Sequence, residues 1–223
     1  MSQQQDNVQY AGGDLFASLP WGERLGPGTL LLHAFAVEQA AALLADIENI
    51  VAAAPWRQMQ TPGGYRMSVA MSNCGELGWL TDRAGYRYGA IDPQSGRAWP
   101  AMPAAFVDLA GRAAAEAGFP GFVPDACLIN RYLPGAKMAL HQDKDEADFS
   151  APIVSLSLGL QAIFRFGGLA RSDPASRVLL THGDVLVWGG PDRLRYHGVL
   201  PVKAGSHPLL GSQRLNLTFR KAR

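Results

Sequence analysis

His141 and Asp143 stand two residues apart in the string HQDKDE, and that spacing is where chemistry could begin. In an extended segment side chains alternate between faces, so His141, Asp143 and Asp145 point one way and Gln142 and Lys144 the other. An imidazole and a carboxylate on one face can take adjacent corners of one metal ion. A second histidine would complete a set of two histidines and one carboxylate with the opposite positions open, which suits non-haem Fe(II). His-x-Asp alone arises by chance in a chain of 223 residues. The rest of the sequence must therefore supply the second histidine, a co-substrate site and a use for Asp145.

Three histidines could be that partner. His182 in THGDVLVW precedes a turn, and His207 stands before Pro208 in a loop. His197 lies in the strand-like RYHGVL. Spacing does not choose among them, but proximity to the polar terminal strand favours His197. In that strand, QRLNLTFR, Leu215, Leu217 and Phe219 face one way and Arg214, Asn216, Thr218 and Arg220 the other. Such a polar face is ordinarily solvated. It is also how a barrel interior would grip a small dianion, because guanidinium groups fix carboxylates through paired hydrogen bonds. LINRY puts Leu128, Asn130 and Tyr132 on one face, where Asn and Tyr need either backbone partners or a bound ligand. Both alternatives stay open on the sequence.

The elements that must hold these groups follow from pattern. The length fits one domain, and 48% hydrophobic with 17% charged residues is ordinary for a globular protein. A formal net charge of +1 gives no global pull towards nucleic acid, so such binding would need a local patch. No apolar run is long enough to cross a bilayer, and the polar, Gln-rich opening has no charged-then-apolar pattern, so no signal peptide is expected. Cys74 and Cys127, far apart and in no ligand spacing, read as reduced buried thiols of a cytoplasmic protein. Residues 1–13 are too polar to order themselves and are expected to be a disordered tail. A buried strand is expected over Leu30–Phe35 and helices over Val37–Ala54 and Pro103–Ala117. Residues 76–101 carry Trp79, Tyr86, Tyr88 and Trp99 among Gly, Pro, Asp and Arg without a helical or strand period. They read either as a loop pinned by its rings or as a lid that stacks on a flat ligand. From Ala126 onward, short alternating runs separated by turns indicate a sandwich or barrel. The expected fold is α+β, a double-stranded β-helix (jelly roll) with helices on one outer face.

Over nearly the whole chain, from about Leu15 to Arg220, the sequence resembles the AlkB family of Fe(II)/2-oxoglutarate-dependent dioxygenases. The likeness rests on MQTPGGYRMSVAMSNCGELGW, PDACLINRY, PGAKMALHQDKDE, APIVSLSLGL, HGDVLVWGG, YHG and RLNLTFR. It implies that His141, Asp143 and His197 are the catalytic metal ligands. Leu128, Asn130 and Tyr132 would line the co-substrate site, and Arg214, Asn216 and Arg220 would clamp 2-oxoglutarate. Trp79, Tyr86, Arg87 and Tyr88 would belong to an N-terminal nucleotide-recognition lid (about 61–101) before a jelly-roll core (about 126–221) in one domain, 14–223. Asp145 would sit beside the target base, Arg171 would contact base or phosphate, and Lys137, Arg83 and Lys144 are further phosphate candidates. Leu215 replaces a common aromatic, and Ala139 a small polar residue. The implied activity is oxidative demethylation of lesions such as N1-methyladenine and N3-methylcytosine with Fe(II), 2-oxoglutarate and O2. It would act on single-stranded or duplex DNA or on RNA, without a membrane or an obligate protein partner. The competing expectations are a dioxygenase acting on RNA, protein or a small molecule, and a non-catalytic nucleic-acid-binding jelly roll.

Overall fold

A computed structural model describes residues 21–223, and the expected tail over 1–13 lies outside the described residues. The chain opens with β1 (Trp21–Gly26) and β2 (Thr29–His33), followed by α1 (Ala40–Ala53) and β3 (Ala70–Gly75). A hairpin of β4 (Gly78–Asp82) and β5 (Gly85–Gly89) precedes α2 (Ala104–Glu116). The run after Ala126 becomes β6 (Ala126–Tyr132), β7 (Met138–His141), β8 (Ile153–Gly159) and β9 (Ala162–Phe166). It continues as β10 (Ser176–Leu180), β11 (Val185–Trp188), β12 (His197–Val199) and β13 (Arg214–Arg220).

Two antiparallel sheets make the sandwich. The larger has the order β1-β2-β11-β8-β13-β6-β3 and the smaller β10-β9-β12-β7. Alternation decides what each strand contributes. On β8, Val154, Leu156 and Leu158 face the helices, and Ile153, Ser155 and Ser157 face the smaller sheet. On β13, Leu215, Leu217 and Phe219 do the same against α2, with Phe106 edge-on to Phe219 at 5.9 Å. Helix α1 buries Leu43, Ile47 and Ile50, spaced at one and two turns, on that outer face. Burying each such side chain contributes about 1.5–3 kcal/mol. Leu215 is therefore a packing residue under the helices, and its departure from the family pattern is absorbed there. A second core between the sheets contains Phe164, Phe166, Leu186 and Trp188.

The helices start later than expected, at Ala40 and Ala104, because the preceding residues form turns or carry proline. Residues 76–101 differ more. Instead of an aperiodic loop they hold the β4–β5 hairpin, in register Trp79 opposite Tyr88 and Thr81 opposite Tyr86. The sequence hid it because both faces mix apolar and polar groups: rings with Thr81 on one, Leu80 with Arg87 on the other. Within the span 61–101, β3 is an edge strand of the larger sheet, and β4 and β5 form a separate two-stranded sheet. Among the described residues no helix is long and apolar enough to cross a membrane.

Candidate metal and co-substrate site

The smaller sheet brings the two histidines together. β12 pairs with β7 in a register that sets His197 opposite His141, with ring centroids 4.4 Å apart. Gly198 makes the approach possible, because a Cβ there would lie 2.7 Å from the Met138 carbonyl oxygen. Each ring is oriented by its own chain: Nδ1 of His141 lies 2.9 Å from the Ala139 carbonyl, and Nδ1 of His197 lies 3.0 Å from the Arg195 carbonyl. A carbonyl only accepts, so both Nδ1 atoms carry the proton and both Nε2 atoms keep a lone pair. The contact at Ala139 is through backbone, which makes its side-chain departure from the family pattern immaterial.

Asp143 lies two residues beyond the end of β7, so it is turned inward by the chain after the strand and not by strand alternation. Its Oδ1 is 3.7 Å from His141 Nε2 and its Oδ2 is 3.8 Å from His197 Nε2. One ligand atom from each of the three residues lies within 4.8 Å of the others. Burial would raise the Asp143 pKa, but the charge of the adjacent Arg220 guanidinium outweighs it and holds the carboxyl ionised. Burial, with His141 nearby, pushes His197 down to about 4, so its ring is neutral at pH 7. Two lone pairs and an ionised carboxylate converge on one point, and that donor set fits a divalent cation. His182 and His207, the other candidates, lie against each other with tilted rings 4.3 Å apart and do not join this group.

The polar face of β13 is not solvated: all seven of its residues are buried, because the smaller sheet covers that side. Arg214 is 1% exposed. Its Nη2 donates to Ser157 Oγ at 2.9 Å, while Nε and Nη1 have no partner. Among the described residues no carboxylate pairs with it. Burial lowers its pKa, and a buried cation with two unanswered N–H groups calls for an anionic oxygen ligand. Asn216 donates to Ser155 Oγ at 2.8 Å and accepts from Asn130 at 3.3 Å, which leaves Asn130 Oδ1 unpaired. Tyr132 lies under the Arg214 guanidinium at 5.1 Å. Leu128, Asn130, Tyr132, Asn216 and Arg220 line one pocket with His141, Asp143 and His197. Arg220 already donates to Asp143 Oδ2 through Nη2 at 2.8 Å and Nε at 3.0 Å. That leaves Oδ1 as the carboxylate oxygen with no hydrogen bond. The residues present thus fit both a metal ion and a small dicarboxylate.

The β4–β5 hairpin is built differently. Tyr86 is half exposed and stacks on Trp79 with centroids 5.6 Å apart. Asn73 on β3 fixes the Trp79 backbone through two hydrogen bonds of 3.0 and 3.1 Å. Trp79 Nε1 donates to Asp145 Oδ2 at 2.8 Å. Asp145 is exposed and does not share the ligand face that extended geometry predicted, because the strand ends at His141. Tyr88 is half-buried with its hydroxyl donated to Glu146. Arg87 is exposed and tied to Asp82 within the hairpin at 2.6 Å. Arg171 is exposed, 6.0 Å over the Tyr196 ring, and does not line the pocket. Lys137, Lys144 and Arg83 are all exposed.

Sequence reasoning missed Ser155, Ser157, Glu146 and Arg193. The serines had a signal, two hydroxyls in step along the apolar run IVSLSLGL. Glu146 and Arg193 had none, since their partners come from distant segments.

The family model described as the 2OG-Fe(II) oxygenase superfamily matches residues 28–220. The chain is 61% identical over 210 residues, 94% of its own length and 97% of the other, to "Alpha-ketoglutarate-dependent dioxygenase AlkB" of Escherichia coli. It is 33% identical, over 55% of its length and 31% of the other's, to mouse "Nucleic acid dioxygenase ALKBH1". Among solved structures, "The structure of OsALKBH1" superposes with a TM-score of 0.79 at 31% identity, covering 90% of this chain and 99% of that one.

Proposed function

We propose, for a chain that belongs to the 2OG-Fe(II) oxygenase superfamily and within it to the AlkB α-ketoglutarate-dependent dioxygenases, that it repairs alkylated nucleic-acid bases by oxidative demethylation. The observation that carries this is a convergent His141–Asp143–His197 set in a pocket lined by Tyr132, the ring under the buried and incompletely paired Arg214, with the Trp79–Tyr86 stack tied to Asp145 just beyond the metal-binding segment. The three side chains would hold Fe(II). Arg214, with Tyr132 beneath it, would take one carboxylate of 2-oxoglutarate, and Asn130, Asn216 and Arg220 would shape the rest of the pocket. When bound, iron and 2-oxoglutarate supply the oxidation: the keto acid is decarboxylated to succinate and CO2 as O2 hydroxylates the N-methyl carbon, and the hydroxymethyl product releases formaldehyde.

The chain's own residues position and select. N1-methyladenine and N3-methylcytosine are cationic and pair poorly, so they are easily extruded from a duplex or already exposed in a single strand. Trp79 and Tyr86 offer rings for stacking, worth about 1–3 kcal/mol per base. Asp145, held by Trp79 Nε1 and open to solvent, would favour the cationic base over a neutral one. The substrate we favour is a methylated base in single-stranded or duplex DNA, with RNA as a further candidate, and cytoplasm is the expected compartment. The test is succinate and formaldehyde formation with Fe(II), 2-oxoglutarate and an oligonucleotide carrying one N1-methyladenine. Turnover should follow the methylated oligonucleotide and be absent with its unmethylated twin. Turnover of a methylated peptide alone would overturn the reading.

A further inference from the structure

Glu146 is 6% exposed, follows Asp145 directly, and has no role in the chemistry above. Both its oxygens are engaged by buried groups from three distant segments. Oε1 accepts Tyr88 Oη at 2.6 Å and lies 3.4 Å from Arg220 Nε. Oε2 accepts Arg193 Nη2 at 3.1 Å. Arg193 then donates Nη1 to the Asp143 carbonyl at 2.7 Å and Nε to the Ala151 carbonyl at 3.0 Å, which fixes the backbone at both ends of the loop that carries Asp145 and Glu146. Burial keeps the Tyr88 phenol protonated, so it is the donor to Glu146.

The hairpin reads this segment twice. Trp79 and Tyr88 are directly opposed across β4 and β5, and the consecutive acids Asp145 and Glu146 each hold one of them. Asp145 is exposed and acts at the rim. Glu146 is the only one of the two that also reaches Arg220 of the pocket. Two guanidinium groups, Arg193 and Arg220, would face each other's field without its charge, since Asp143 alone answers Arg220.

We propose that Glu146 is a positioning residue, whose single carboxylate sets both the aim of Arg220 at the co-substrate pocket and the seat of the lid through Tyr88. This rests on the assignment of Arg220 to the 2-oxoglutarate pocket. The lid and the pocket then respond together to a change at a residue that touches neither the metal nor the base.

The test uses Mn(II)-loaded protein, since Mn(II) accepts similar oxygen and nitrogen ligands, and reads 2-oxoglutarate affinity and amide hydrogen exchange in Gly85–Gly89 without turnover. Glu146→Gln, which keeps shape and removes charge, should weaken 2-oxoglutarate binding about tenfold, the lower end of outer-shell effects, and speed exchange in the hairpin. Tyr88→Phe should speed hairpin exchange to a similar degree and leave 2-oxoglutarate affinity within about twofold. Wild-type values for both readouts in Glu146→Gln overturn the proposal. So does an unchanged hairpin in Tyr88→Phe, which decides the matter even if Glu146→Gln does not fold. A loss of 2-oxoglutarate affinity in Tyr88→Phe equal to that in Glu146→Gln also overturns it, since the ring and not the carboxylate would then aim the clamp. No nucleic acid is needed, so failure here is separate from failure of the base-repair reading.

Discussion

The pocket wall on β6, β8 and β13 and the β4–β5 hairpin face the same chemistry with opposite construction. On the wall every polar side chain is buried, and neighbouring strands fix its direction by register: Asn216 pairs across to Asn130 on one side and Ser157 on the other. The hairpin is a separate two-stranded sheet joined to the rest by a few side-chain bonds, with Tyr86 half exposed. A two-stranded hairpin is marginal by itself. The difference teaches that the polar groups of the co-substrate pocket are fixed by central strands, while the half-exposed rings sit on an element with few anchors.

Changes in the wall, and at the metal-binding carboxylate that its Arg220 holds, should be severe and confined to metal and co-substrate. Asp143→Ala removes a metal ligand and the main counter-ion of buried Arg220. Succinate formation should fall by at least about a hundredfold, with weakened Fe(II) binding in a metal titration. Retained turnover would break the comparison at its root. Arg214→Lys keeps a positive charge and loses the planar fork. KM for 2-oxoglutarate should rise about tenfold to a hundredfold, the cost of one charge-assisted hydrogen bond, with oligonucleotide affinity unchanged.

Changes in the hairpin should show the reverse. Trp79→Ala should weaken binding of a methylated oligonucleotide by about 1–3 kcal/mol and leave the KM for 2-oxoglutarate at its wild-type value. The hairpin's rear anchor can be probed by acid. Arg57 pairs with Asp92 just after β5, and that hydrogen-bonded guanidinium holds the Asp92 carboxyl at about 2, below its ordinary 3.8. Because the folded pKa is the lower one, the unfolded chain binds the proton first. The stabilisation, about 2 kcal/mol at 1.36 kcal/mol per unit, is therefore full above pH 4 and is lost as pH falls towards 2. Urea unfolding of Arg57→Gln against wild type should show a gap that narrows as pH falls from about 4 towards about 2. The smallest effect belongs to the exposed Arg87–Asp82 pair, where Arg87→Ala should leave the melting temperature unchanged.

How much of this was legible in the chain depends on where each partner lies. Strand alternation alone put Leu128, Asn130 and Tyr132 on one face and Arg214, Asn216 and Arg220 on another, because a period of two is a local property. The same reasoning failed at Asp145, since it assumed an extended chain past His141 where the strand has ended. It also failed at residues 76–101, where neither face of the hairpin is uniformly apolar.

The amino-acid order by itself determined the residue types, the alternating strands, the two amphipathic helices and the family resemblance. It could not decide among His197, His182 and His207, nor whether the polar face of β13 met water or a ligand. Those answers came from the pairing of β12 with β7 and from the smaller sheet closing over the larger. Both are contacts between segments tens of residues apart, and a local pattern carries no information about which distant strand will lie opposite it.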